Sequence, residues 1–94
     1  MDIRCLSATE IEEQLKAVPE WQATGGKLHR EFRFRNFSEA FGFMTRAALV
    51  SEQQNHHPEW HNVYGRVVIN LVTHECGGIS ARDFAWARAV DQLK

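Results

Sequence analysis

Four of the chain's five histidines fall between residues 56 and 74, and two of them are adjacent. Imidazole is the side chain that gains and loses a proton near neutral pH, so such a cluster suits acid-base work. The local text is Asn55-His56-His57-Pro58-Glu59-Trp60, with Tyr64 further on and His74 at the end of an apolar stretch. Pro58 stops a helix because it lacks the backbone N–H and clashes with the preceding turn. The histidine pair therefore stands at a helix end and His74 at a strand end. Element ends are where a cleft can form.

Each residue also has a plain structural use. His56 and His57 could stabilise the C-terminal dipole of a helix, worth roughly 0.3 to 1 kcal/mol. His74 could be a polar strand end, Asp83 part of a capping box, Trp60 an interface aromatic and Glu52 a solvated helix residue. A metal site is the other chemical option, since His56, His57, His61, His74 and Cys76 hold enough ligand atoms for zinc. His57 and His61 have the four-residue spacing of a helical zinc pair, but Pro58 lies between them and ends the helix first. There is no Cys-x-x-Cys pair, and Cys76 beside Glu75 is poorly placed for a stabilised thiolate.

Composition narrows the classes. The 94 residues suit one domain, residues 1–94, with a single core. With 11 basic against 12 acidic groups, the chain has no electrostatic footprint for nucleic acid. No apolar run approaches the ~18 to 20 residues of a transmembrane helix. The opening Met1-Asp2-Ile3-Arg4 lacks the apolar stretch of a signal peptide, so a cytoplasmic protein is expected. In that reducing compartment Cys5 and Cys76 are expected to be free thiols.

The elements that must position the histidines follow from the pattern. Ser7 and Glu10 form a capping box, and Ile11, Leu15 and Val18 give helical spacing, which predicts a helix over about 8–17. Trp21 to Thr24, the turn Gly25-Gly26 and Lys27 to Arg35 read as a hairpin with the longer strand second. From Ser38 to about Asn55, Phe37, Phe41, Met44 and Ala48 make one stripe of a long helix. Phe43, Ala47 and Val50 widen it. Val63-Tyr64 and Val67 to Thr73 flank a two-residue turn, Gly65-Arg66, which would put Tyr64, Val67, Ile69 and Leu71 on the face meeting the helices. Ser80 and Asp83 cap a last helix whose stripe is Trp86, Ala89, Val90 and Leu93. The expected fold is α+β: a four-stranded antiparallel sheet with three helices on one face, in the order α-β-β-α-β-β-α.

Glu52, His56-His57-Pro58, Tyr64, His74 and Asp83, with three, five, nine and eight residues between them, resemble the signature of the pterin-4a-carbinolamine dehydratases. Phe41 to Arg46, Asn62-Val63-Tyr64 and Thr73-His74-Glu75-Cys76 resemble family sequence too. His61 and the Gly65-Arg66 turn depart from the pattern without touching a catalytic position. The resemblance implies dehydration of 4a-hydroxytetrahydropterin to quinonoid dihydropterin in recycling the pterin cofactor of aromatic amino-acid hydroxylases. It implies His56 and His74 as the catalytic acid-base pair. His57 would bind and position the substrate, Glu52 and Asp83 would orient imidazoles or contact the pterin, and Trp60 would help wall the pocket. No metal or organic cofactor is required, because expelling the hydroxyl needs a proton donor and losing the N5 proton needs an acceptor. A homodimer or homotetramer is expected, with functional coupling to a hydroxylase. The alternative is a protein-binding adaptor or dimerisation cofactor with little catalysis, since some animal relatives also serve a homeodomain transcription factor.

Overall fold

A computed structural model describes residues 3–94, so Met1 and Asp2, on which the expected absence of a leader partly rests, lie outside the described residues. The element order is α1 (Ala8–Leu15), β1 (Gln22–Thr24), β2 (Lys27–Arg33), α2 (Phe37–Gln54), β3 (Glu59–Val63), β4 (Arg66–Leu71) and α3 (Ala81–Asp91). The three helices and four antiparallel strands match the expected class and order. The strands lie in the order β1-β2-β4-β3, so β2 and β4 form the centre of the sheet.

Alternation explains the layer. Leu28 and Phe32 of β2 and Val67, Ile69 and Leu71 of β4 point to one face and are fully buried. Against them lie Ala40, Phe43 and Ala47 of α2 and Phe84, Trp86, Ala87 and Val90 of α3, with Ile11 and Leu15 of α1 at the margin. Polar atoms that enter this core are paired. Trp21 Nε1 donates to the Asp91 carboxylate at 2.9 Å, and Trp86 Nε1 donates to Ser51 Oγ at 2.9 Å. Among the described residues no buried side-chain nitrogen or oxygen lacks a partner.

Three expectations need correction. The stripe of α2 that faces the core is Ala40, Phe43, Ala47 and Ser51, whereas Phe37 and Phe41 remain 52% and 54% exposed. The helix is apolar around more of its circumference than the sheet covers, and periodicity alone cannot say which stripe wins. The β3–β4 turn is Tyr64-Gly65, one residue earlier than expected: Val63 pairs Arg66 and Asn62 pairs Val67. Tyr64 sits in the left-handed region with φ of 51° and is exposed, so it does not join the inner face. Gly65 is spent on a close approach: a Cβ there would stand 2.3 Å from the Phe34 carbonyl oxygen, while Phe34 N–H donates to Gly65 O at 2.7 Å.

The third correction concerns the cysteines. Cys5 and Cys76 are joined in a disulfide with their Cα atoms 5.5 Å apart. The expectation of free thiols rested on compartment, not geometry. The fold lays the N-terminal segment antiparallel to the segment leading into α3: Cys5 bridges Ser80, and Leu6 N–H donates to Ile79 O at 2.8 Å. The missing side chain of Gly78 leaves room for the Cys5 sulfur. A contact across 71 residues has no local signature.

Candidate active site

The site forms where α2 ends, β4 ends and α3 begins. Asn55 caps α2 in the left-handed conformation, with φ of 51° and ψ of 46°, a geometry asparagine tolerates better than most residues. It turns the chain out of the helix, and Pro58 keeps the helix from resuming. His56 N–H still donates back to Ser51 O at 3.1 Å. That bond seats His56 against the protein while His57 faces outward.

His56 is only 7% exposed. Its Nε2 lies 2.5 Å from Oδ1 of Asp83, which is fully buried in the first turn of α3. The other carboxylate oxygen of Asp83 accepts from Thr73 Oγ1 at 2.8 Å and from Ser80 N–H at 2.9 Å. Ser80 is the N-cap and Asp83 its capping-box partner. Asp83 thus serves the helix with one oxygen and fixes the imidazole with the other. A buried carboxylate with three donors around it is well satisfied and holds the ring in one orientation.

The other imidazoles are looser. His57 Nε2 is 2.6 Å from Oε2 of Glu52, one turn back on α2, and both side chains are more than half exposed. His74 follows Thr73 in a tight loop, where Thr73 O accepts from the amides of Cys76 and Gly77 at 3.1 and 2.9 Å. Among the described residues the nearest carboxylate oxygen to His74 Nε2 is that of Glu59, 3.9 Å away.

These pieces open on one cavity of about 180 Å³ lined by Asn55, His56, His57, Val72, His74, Glu75 and Arg82. The structure brings His56, His57 and His74 together, with Asp83 behind the first and Glu52 beside the second. Trp60 does not line this cavity; its ring meets Trp86 edge-on at 6.4 Å, behind the site. Asn55 and Glu75 stand in the motifs read from the sequence but carry no site role there, and Val72 and Arg82 are not assigned to the site from the sequence. Only Arg82 had a usable signal, as a cation adjoining Asp83. A larger cavity of about 350 Å³, lined by Phe34, Ser38, Glu39, Gly42, Arg46, Leu93 and Lys94, contains no histidine. Chemistry, not volume, selects between them.

Two imidazoles lining one small cavity, one buried and one exposed, can deliver a proton to one atom of a ligand and remove one from another. Among the described residues no three His, Cys, Asp or Glu side chains converge as a metal-ligand cluster. Among the described residues no helix is long and apolar enough to cross a membrane.

Comparison with known proteins finds relatives over nearly the whole chain. Residues 4–93 match the family model described as pterin 4 alpha carbinolamine dehydratase. A protein of Prochlorococcus marinus, provisionally named as a pterin-4-alpha-carbinolamine dehydratase, is 49% identical over 94 residues, covering 100% of this chain and 98% of its own. One of Solibacter usitatus with the same provisional name is 53% identical over 88 residues, 94% of this chain and 93% of its own. Among solved structures, a Brucella melitensis protein titled transcriptional coactivator/pterin dehydratase superposes with a TM-score of 0.91 at 42% identity. It covers 95% of this chain and 97% of its own. With both its sequence and its fold matched over nearly their whole length, the chain belongs to the pterin 4 alpha carbinolamine dehydratase family.

Proposed function

We propose that the protein is a 4a-hydroxytetrahydrobiopterin dehydratase, converting 4a-hydroxytetrahydropterin to quinonoid dihydropterin and water. It would act in the cytoplasm, where the Cys5–Cys76 disulfide would have to withstand a reducing environment, recycling the pterin cofactor of aromatic amino-acid hydroxylases, with residues 1–94 as one domain. The observation that carries this reading is that His56, held by buried Asp83, and His74 line the same cavity in a member of this family.

The reaction asks for little else. One imidazolium protonates the 4a-hydroxyl, the C4a–O bond breaks, and the N5 lone pair closes a C4a=N5 bond. A second imidazole accepts the N5 proton, water leaves, and the substrate is neither oxidised nor reduced overall. Asp83 orients His56 for its part in this exchange. His57, steadied by Glu52, positions the pterin. Trp60 stands off the cavity, so its part is supported only through its contact with Trp86.

The test is turnover of 4a-hydroxytetrahydropterin generated by a coupled hydroxylase and followed optically. A rate well above spontaneous dehydration is expected; a rate equal to it rejects the enzyme reading. That result would favour an adaptor, a reading supported by the exposed Phe37, Phe41 and Leu49 and by the coactivator title of the Brucella protein. The same apolar surface supports a homodimer or homotetramer. Light scattering that gave the monomer mass of 10.8 kDa at high micromolar concentration would reject self-association.

A further inference from the structure

α2 ends with no basic residue in its last turn. Its terminal carbonyls carry partial negative charge and need donors from elsewhere. Arg82, in the first turn of α3, supplies them. Its Nη2 donates to Asn55 O at 2.5 Å and stands 3.5 Å from Gln54 O, while Nη1 lies 3.6 Å from Oε2 of Glu75. Asn55 immediately precedes His56, and Glu75 immediately follows His74. One guanidinium therefore spans the two segments that carry the proposed acid-base pair.

We propose that Arg82 is a positioning residue that sets the separation of His56 and His74 by clamping the end of α2 to the His74 loop. The clamp itself rests on geometry; its consequence for rate rests on the dehydratase reading. Arginine suits the task because its planar fork offers two terminal nitrogens in fixed directions, whereas a lysine amine at the end of a flexible stem reaches one side at a time. The arm toward Glu75 is partly solvated, since the Glu75 side chain is 60% exposed. Such an ion pair adds little to global stability. The clamp should therefore show in placement and rate more than in melting temperature, because small misplacements of reacting groups are costly.

Amide hydrogen exchange and steady-state kinetics on Arg82→Ala, Arg82→Lys and Glu75→Gln test the idea. Arg82→Ala should speed exchange at both His56 and Gly77, whose amides bond Ser51 O and Thr73 O. Glu75→Gln should speed it at Gly77 alone. In the pterin assay kcat of Arg82→Ala should fall by roughly 10- to 100-fold with KM little changed, and Arg82→Lys should recover part of the loss. Should alanine prove unfoldable, the lysine and Glu75 variants carry the comparison. Unchanged exchange in either segment overturns the clamp, as does a rise in KM at constant kcat, which would make Arg82 a substrate contact. The expected exchange pattern in a wild-type protein with no turnover would leave the clamp standing and reject the dehydratase reading instead.

Discussion

The two imidazoles assigned to proton transfer are held by opposite means. His56 is nearly buried, on a carboxylate that is itself satisfied by Thr73 and Ser80. The His74 side chain is 80% exposed, and among the described residues no carboxylate oxygen comes closer to its Nε2 than 3.9 Å. One ring is placed by its own hydrogen bonds. The other is placed only as well as its backbone loop, which is tied by the Thr73 carbonyl, by Arg82 through Glu75 and by the disulfide at Cys76. In a single small site, a rigid station faces one that a substrate can still adjust.

If this contrast is right, the two histidines should differ in what their loss does to the fold while agreeing in what it does to the rate. Removing a positioned acid or base typically costs ~10²- to 10⁴-fold, so kcat should collapse in both His56→Ala and His74→Ala. Only His56→Ala should also destabilise the protein, by about 1 to 3 kcal/mol, because Asp83 keeps its burial and loses a partner. His57→Ala should mainly raise KM. His29→Ala is the control, since its ring bonds Asn70 at 2.8 Å on the sheet and should leave the rate near wild type. Kinetics and thermal melts on the four variants decide the matter; equal stability losses for His56→Ala and His74→Ala would erase the proposed distinction.

The disulfide bears directly on the second station, at Cys76, and on the first only indirectly, through Ser80 and Thr73. Its 71-residue separation implies that opening it costs about 4.4 kcal/mol in the chain-entropy account, just above a usual range of about 2 to 4. Cys5→Ser should lower the urea midpoint accordingly and speed hydrogen exchange at Leu6 and across residues 73–78. The His56 amide should exchange as in wild type. Uniform acceleration at both places would mean that the two halves of the site are not independently supported.

What the sequence revealed, and what it hid, divides along the same line. The elements on the His56 side were readable because each signal is local: Pro58 stops α2, and Ser80 with Asp83 spells a capping box, whereas the bond from His56 to Asp83 spans 27 residues and was reached only through the family resemblance. The class, the element order and the histidine cluster followed from such patterns. The supports of His74 were not readable. Cys5 reaches Cys76 only after the N-terminal segment has paired with residues 79–80, and Arg82 reaches Asn55 only after α3 has docked on α2. The exposed stripe of α2 and the Tyr64-Gly65 turn failed for a related reason: periodicity identifies a face, but its partner decides whether that face is covered.

A smaller effect follows from the anchor of the segment that carries Cys5. The Glu10 carboxyl is held down to about 2, chiefly by its hydrogen bond from the Arg4 guanidinium and next by that from the Ser7 backbone N–H. A folded-state value below the ordinary one of about 4.5 means that ionised Glu10 favours the folded chain above that value, and that the benefit fades as pH falls toward 2. Both groups are solvent-facing, so the effect should be a slight shift in melting temperature rather than a loss of fold. Glu10→Gln keeps a side chain able to complete the capping box and removes the charge. Its melting temperature should lie slightly below wild type at pH 7, and the gap should narrow steadily below about pH 4.5 as wild-type Glu10 loses its advantage. A gap unchanged between pH 7 and pH 3 would show that Glu10 acts there through capping and packing and not through its charge.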